Sequence, residues 1–206
     1  MNEKLQYDLH EIGDASKKAI VAIHGWQGSR ISMFPLIKTM SINNVGWYLL
    51  EAPYPVQKGE GFSWSYEKSN GEWEIEEPKQ LLNDFFEKLF NQYDSNKIFV
   101  LGFSQGGLVC FDLILFLKKP LGGVFPIAGF LREPEHKGAR FHSSQKSTPI
   151  LIGHGTEDDR VPVESSKNAY NLLINQGADA KLLLYKGKHK IGVEVIRKVR
   201  DIINST

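Results

Sequence analysis

The stretch KIFVLGFSQGGLVCFDLILF, Lys97–Phe116, decides the fold. Its first half is a short apolar run rich in β-branched and aromatic residues, which reads as a strand; its second half reads as a helix, QGGLVCFDLILFLKK, over 105–119. Between them stands GFSQGG, Gly102–Gly107, one serine among three glycines. A strand that turns at once into a helix strains the backbone at the turn and brings neighbouring side chains into collision. Gly102 and Gly106 remove those side chains, which is the physical content of the spacing G-x-S-x-G. The helix N-terminus also leaves unpaired N–H groups beside the Ser104 oxygen. Ser104 is therefore the candidate nucleophile, and the backbone N–H of Gln105 a candidate donor to an oxyanion.

The same alternation extends along the chain. KAIVAIHG (18–25), GWYLLEAP (46–53), LGGVFPIAG (121–129), TPILIGHG (148–155) and AKLLLYKG (180–187) read as further strands buried on both faces, because their apolar runs are continuous. Helical spacing recurs in Leu82, Phe85, Phe86, Leu89 and Tyr93 after Pro78; in Ala169, Tyr170 and Leu173, with Gly177 as a stop; and in Val195, Val199 and Ile202. Strands alternating with helices predict an α/β fold, a doubly wound, mostly parallel sheet with helices on both faces, in one domain over 1–206. Chemistry in such sheets gathers at the carboxyl ends of the strands.

Composition narrows the function. The 206 residues suffice for a substantial core, and 25 basic against 24 acidic residues leave a net charge of +1 without blocks of one sign. No nucleic-acid partner and no stable membrane association are expected. A single cysteine, Cys110, excludes an internal disulfide and reads as a small core residue in the helix after Ser104. MNEKLQYDLHEIGD has no apolar signal core, so a cytoplasmic protein is expected. His10, His24, His136, His142 and His154 lie far apart with no zinc spacing, and neither a Walker loop nor G-x-G-x-x-G opens the first helix. No metal and no cofactor are expected.

A serine hydroxyl needs a base, and the base needs an acid to hold its tautomer. TEDDRVPV follows the strand at 148–155 and brings Asp158 and Asp159 to that strand's carboxyl end; KHKIG follows the strand at 180–187 and supplies His189. The chain order is Ser, Asp, His. Lys186, Lys188 and Lys190 surround His189 and read as a solvated surface.

GFSQGG, HGTEDDRVP and the histidine after the final strand together resemble the phospholipase/carboxylesterase branch of the α/β hydrolases, which includes acyl-protein thioesterases. The resemblance covers most of the chain and implies a compact α/β-hydrolase fold. Its pattern H-G-x-x-D-x-x-V-P falls on His154, Gly155, Asp158, Val161 and Pro162, which favours Asp158 as the acid, with Asp159 as the alternative. It also implies a second oxyanion N–H at Trp26 in HGWQG, with His24 fixing that loop by hydrogen bonding rather than acting as a base. Its implied activity is cleavage of a small-molecule ester or thioester, short-chain esters first; lysophospholipase, acyl-protein thioesterase and acyltransferase activities are alternatives, as is an inactive binding module on the same fold.

The connection at 54–77 is long, with Tyr54, Phe62, Trp64, Tyr66 and Trp73 among glycines and charges, and is expected as a loop or lid over the site. GFSWSYE resembles the family segment whose central Trp lies beside the acyl pocket, so Trp64 is a candidate substrate contact; the alternative is aromatic cover for the core edge, with a hairpin at SNGE. FPIAGFL resembles the family's strand and loop after the nucleophile helix and adds Phe130 as a second candidate contact, with Arg132 beyond it. A monomer or a homodimer through the apolar last helix is expected.

Overall fold

A computed structural model describes residues 4–13, 16–133 and 137–206. In chain order the elements are β1 (Gln6–Ile12), β2 (Lys18–Ile23), α1 (Arg30–Met33), α2 (Pro35–Met40), β3 (Val45–Glu51), four two-residue strands β4 (Tyr54–Pro55), β5 (Phe62–Ser63), β6 (Tyr66–Glu67) and β7 (Trp73–Glu74), α3 (Glu76–Phe90), β8 (Ile98–Phe103), α4 (Gln105–Asp112), β9 (Gly123–Ile127), β10 (Ile150–Gly155), α5 (Val163–Asn175), β11 (Ala180–Tyr185) and α6 (Val193–Ser205). Seven strands form the central sheet in the order β1-β3-β2-β8-β9-β10-β11. All neighbours are parallel except β1, which runs antiparallel to β3 from Gln6 opposite Glu51 to Ile12 opposite Val45. The expected α/β fold with a mostly parallel sheet is the one observed.

The two-residue period of a strand divides the core into two layers. Ala19, Val21 and Ile23 of β2 face α3, α4 and α5, where Phe86, Cys110 and Ala169 meet them in one cluster. Ile20 and Ala22 face the opposite layer, built with Met33, Met40, Val195 and Val199 from α1, α2 and α6. Both faces are therefore covered, which is why the central strands are apolar throughout.

Four elements depart from the sequence reading. β1 was not anticipated, because at the sheet margin its residues only alternate between exposed and half-buried. β11 was expected buried on both faces, but it is the opposite edge, and Leu184 is 39% exposed. α4 ends at Asp112 rather than near Lys119: the chain turns at Leu113 into a 3-10 turn over Ile114–Phe116 that buries Ile114 and Leu115. In α6 it is Ile203 rather than Ile202 that is fully buried. α3 begins at Glu76, with Pro78 inside the first turn, where a missing N–H costs nothing; the Glu74 carboxylate accepts from the N–H groups of Glu76 and Glu77 and caps it.

The long connection folds into two small antiparallel pairs, β4 with β5 and β6 with β7. The second pair is the hairpin expected at SNGE, closed by Gly71 at φ +82° and the bond from Gly71 N–H to Lys68 O.

Candidate active site

Ser104 stands between β8 and α4 with φ +56° and ψ −114°, a conformation that costs an L-residue energy and persists where surroundings impose it. Its N–H donates to Ile127 O at 2.8 Å, and its carbonyl accepts from Gly107 and Leu108, so the turn is held on both sides. The flanking glycines are required by space. A Cβ on Gly102 would lie 2.1 Å from Gly106 O, and one on Gly106 would lie 2.2 Å from Ile23 O.

The loops at the carboxyl ends of β10 and β11 bring the other two residues to this turn. His189 Nε2 lies 3.0 Å from Ser104 Oγ, and its Nδ1 lies 2.8 Å from Asp158 Oδ2. A carboxylate only accepts, so Nδ1 carries the proton and Nε2 is left to accept from the serine. The Phe103 ring packs against the imidazole at 4.9 Å. Asp158 has a fully buried side chain whose second oxygen accepts from the N–H groups of Arg160 and Val161, each at 2.9 Å. Burial pushes its carboxyl up, but those N–H donors and His189 outweigh it and hold the group below the usual carboxylate range. Asp159 instead points outward to Lys188 at 3.5 Å, with both side chains exposed.

His154, four residues before Asp158, packs behind its carboxylate. It is completely buried, and its Nε2 sits 2.9 Å from Val161 O and 3.3 Å from Asp158 Oδ2. Nδ1 meets Ser166 Oγ at 2.6 Å. His154 thereby braces the loop that aims Asp158, and the only sequence signal for it is the spacing within HGTEDD.

The loop after β2 lies against Ser104, since a Cβ on Gly25 would come within 3.0 Å of Ser104 Cβ. Among the described residues, neither the N–H of Trp26 nor that of Gln105 donates to a protein acceptor. His24 has the expected structural place. Ala52 N–H donates to its Nε2 at 3.1 Å, which leaves the proton on Nδ1 to bond Gly25 O at 2.7 Å. Burial, opposed by the bond to Gly25, pushes the imidazole down to about 4.

Trp64 was expected either as a substrate contact or as aromatic cover for the core edge. It is only 1% exposed, and its indole N–H donates to His24 O at 3.0 Å, so the ring ties the aromatic segment to the loop after β2 from beneath. A groove of about 520 Å³ runs beside Trp26 and is lined by Tyr54, Val56, Ser63, Ser65, Tyr66 and Trp73. Phe130 is partly exposed in the loop directly after β9. His136 lies outside the described residues, and among those described no three or more His, Cys, Asp or Glu side chains are grouped as metal ligands would be.

Residues 10–206 match the family model described as Phospholipase/Carboxylesterase. The chain belongs to this family. Among related members, the acyl-protein thioesterase 1 of Debaryomyces hansenii is 27% identical over 211 residues, covering 92% of this chain and 91% of its own. The carboxylesterase SOBER1 of Arabidopsis thaliana is 30% identical over 107 residues, covering 52% of this chain. The chain spans about half the length of that relative (47%), and 41% of a probable carboxylesterase of Oryza sativa. Esterase PE8 shares the fold with a TM-score of 0.84 at 24% identity over 98% of this chain and 99% of its own, and the Bacillus cereus carboxylesterase does so at 0.78 and 18%, over 99% and 95%. Among the described residues, no helix is long and apolar enough to cross a membrane.

Proposed function

We propose that the chain is a serine hydrolase that cleaves carboxylic esters through an acyl-enzyme, with Ser104, His189 and Asp158 as its catalytic triad. The observation that carries this reading is the continuous relay from Ser104 Oγ through His189 to Asp158, at 3.0 and 2.8 Å. Ser104 Oγ attacks the acyl carbon while His189 Nε2 takes its proton, and the carbonyl oxygen becomes an oxyanion before the N–H groups of Trp26 and Gln105. Collapse breaks the bond to the leaving alcohol or thiol, which receives the proton from His189. Water then attacks the acyl carbon, gives its proton to His189 and releases the acid, and the proton returns to Ser104. Asp158 keeps Nδ1 oriented and stabilises the imidazolium in both halves. Each oxyanion donor contributes about 3 to 4 kcal/mol to such a transition state. No cofactor enters the scheme, and we take the protein to act in the cytoplasm on a small-molecule ester or thioester.

Short-chain esters are the first substrates to assay. The groove beside Trp26 favours one second reading, in which a longer acyl chain lies there and the enzyme acts as a lysophospholipase or an acyl-protein thioesterase; activity rising steadily with chain length selects it. One relative in Oryza sativa, 30% identical over 88 residues, is named a probable inactive carboxylesterase, so activity itself is the first test. Labelling by a fluorescent fluorophosphonate and turnover of p-nitrophenyl acetate should both occur in the wild type and vanish in Ser104→Ala. A folded wild type that does neither refutes the reading and puts an inactive binding module first.

A further inference from the structure

Arg132 lies in the loop after β9, outside the relay, yet it touches three separate pieces of the fold. Its guanidinium carbon stands 4.9 Å over the Trp73 ring of β7, its Nε lies 3.5 Å from Asp112 Oδ2 at the end of α4, and one terminal nitrogen donates to Ser65 Oγ at 3.3 Å. Ser65 Oγ also accepts from Gln105 Nε2 at 3.3 Å. The same Gln105 nitrogen donates to Ser63 Oγ at 2.9 Å, while Gln105 Oε1 accepts from Trp64 N–H at 3.1 Å. Ser63, Ser65 and Gln105 are all buried, so these bonds form in a region where an unpaired polar group is costly.

We propose that Arg132 is a positioning residue for this reaction: it clamps the aromatic segment 54–74 onto the nucleophile helix and, through Ser65 and the Gln105 side chain, fixes the peptide whose N–H meets the oxyanion. The proposal rests on the acyl-transfer reading above. Only two hydrogen bonds separate the guanidinium from the side chain of the residue that supplies that donor. The planar fork is suited to the task, because its face covers Trp73 while its edges point toward Asp112 and Ser65. A lysine ammonium, a single point of charge, cannot serve all three directions at once. The clamp also accounts for Gln105 as a side chain, which the backbone role of its N–H leaves without explanation.

Arg132→Met keeps an apolar stem and removes the fork. Displacing catalytic donors by a fraction of an ångström to 1 Å costs up to about 100-fold, so kcat for p-nitrophenyl acetate should fall about tenfold or more, with KM within about twofold of wild type. Arg132→Lys should recover only part of the loss, and guanidinium salt added to Arg132→Ala should restore some turnover. Hydrogen exchange supplies a readout independent of activity: the Trp64 amide, which donates to Gln105 Oε1, should exchange at least about tenfold faster in Arg132→Met. Ser65→Ala cuts the same chain without touching the charge pair and should shift both readouts in the same direction, which keeps the test intact where Arg132→Met fails to fold. Unchanged kcat overturns the proposal, as does a fall in kcat with the Trp64 amide as protected as in wild type. A wild type without turnover refutes the hydrolase reading instead, while amide exchange still decides whether the clamp exists.

Discussion

His24 should make this protein's stability depend on pH in a way that a single substitution isolates. Its Nε2 accepts from Ala52 N–H and its Nδ1–H donates to Gly25 O, so the neutral ring is satisfied, and a second proton would put two donors face to face. The imidazole titrates at about 4 in the folded chain against 6.5 without the fold. Between those values the unfolded chain binds a proton that the folded chain refuses, so this contribution is intact above pH 6.5 and is lost as pH falls toward 4. At about 1.4 kcal/mol per pH unit, the loss is about 3 kcal/mol. Asp112 acts in the opposite sense: burial, opposed by Arg132, raises its carboxyl from 3.8 to about 6, so its folded form gains stability as pH falls through that window. The wild-type profile alone therefore understates the His24 share. The difference between wild type and His24→Gln removes Asp112 and Asp158, which are present in both. In urea denaturation at pH 7.5 the variant should be less stable by about 1 to 3 kcal/mol, the cost of disturbing a buried hydrogen-bonded group. At pH 4 that gap should shrink by about 3 kcal/mol, to nothing or to a reversed sign. A gap that stays constant between the two pH values refutes the assigned tautomer and the burial argument together.

The elbow and the relay yield further expectations. Gly106→Ala puts a methyl 2.2 Å from Ile23 O, a backbone atom that cannot swing aside; it should destabilise by about 3 kcal/mol in chemical denaturation and abolish phosphonate labelling. Asp158→Asn should leave the fold intact and lower kcat by about 10⁴-fold, as loss of the acid does where it sets the histidine tautomer. Asp159→Asn, which alters only the exposed contact with Lys188, should change stability by less than about 0.5 kcal/mol and leave turnover as it was; the opposite ranking of the two variants in a kinetic assay would overturn the assignment of the acid. Trp64→Phe replaces the indole with a smaller ring and leaves His24 O without its donor, and should cost at least about 1 to 3 kcal/mol by thermal or urea unfolding.

The sheet centre was legible because strands covered on both faces must be apolar throughout, so the runs at 18–25 and 97–104 could hardly be anything else. The margins were not, because an edge strand needs only one half-buried side. β1 pairs its whole length with β3 while its sequence, QYDLHEI, looks polar. The elbow was legible for a related reason: a Cβ on Gly102 or Gly106 would meet a backbone oxygen at about 2 Å, and no other residue type fits. Trp64 stayed ambiguous because a tryptophan in a long connection is equally compatible with a ligand wall and with a buried anchor. What separates the two is the partner of its indole N–H, and that partner, His24 O, lies 40 residues away.

The choice between Asp158 and Asp159 shows where sequence reasoning reaches its physical limit. The two side chains are chemically identical and adjacent, and either satisfies the chain order. They differ in what the turn after β10 does with its N–H groups. Arg160 and Val161 both direct theirs at Asp158 Oδ1, His154 stands behind Oδ2 with its own proton shared toward Val161 O, and the inward carboxylate is left with one oxygen to offer His189. Asp159 receives none of these donors and lies in solvent beside Lys188. The proposed acid is thus held in place by three residues to which the proposal gives no reactive role. Changing His154 to a residue without a ring donor should weaken the relay through the orientation of Asp158 alone, with Ser104, His189 and Asp158 all still present.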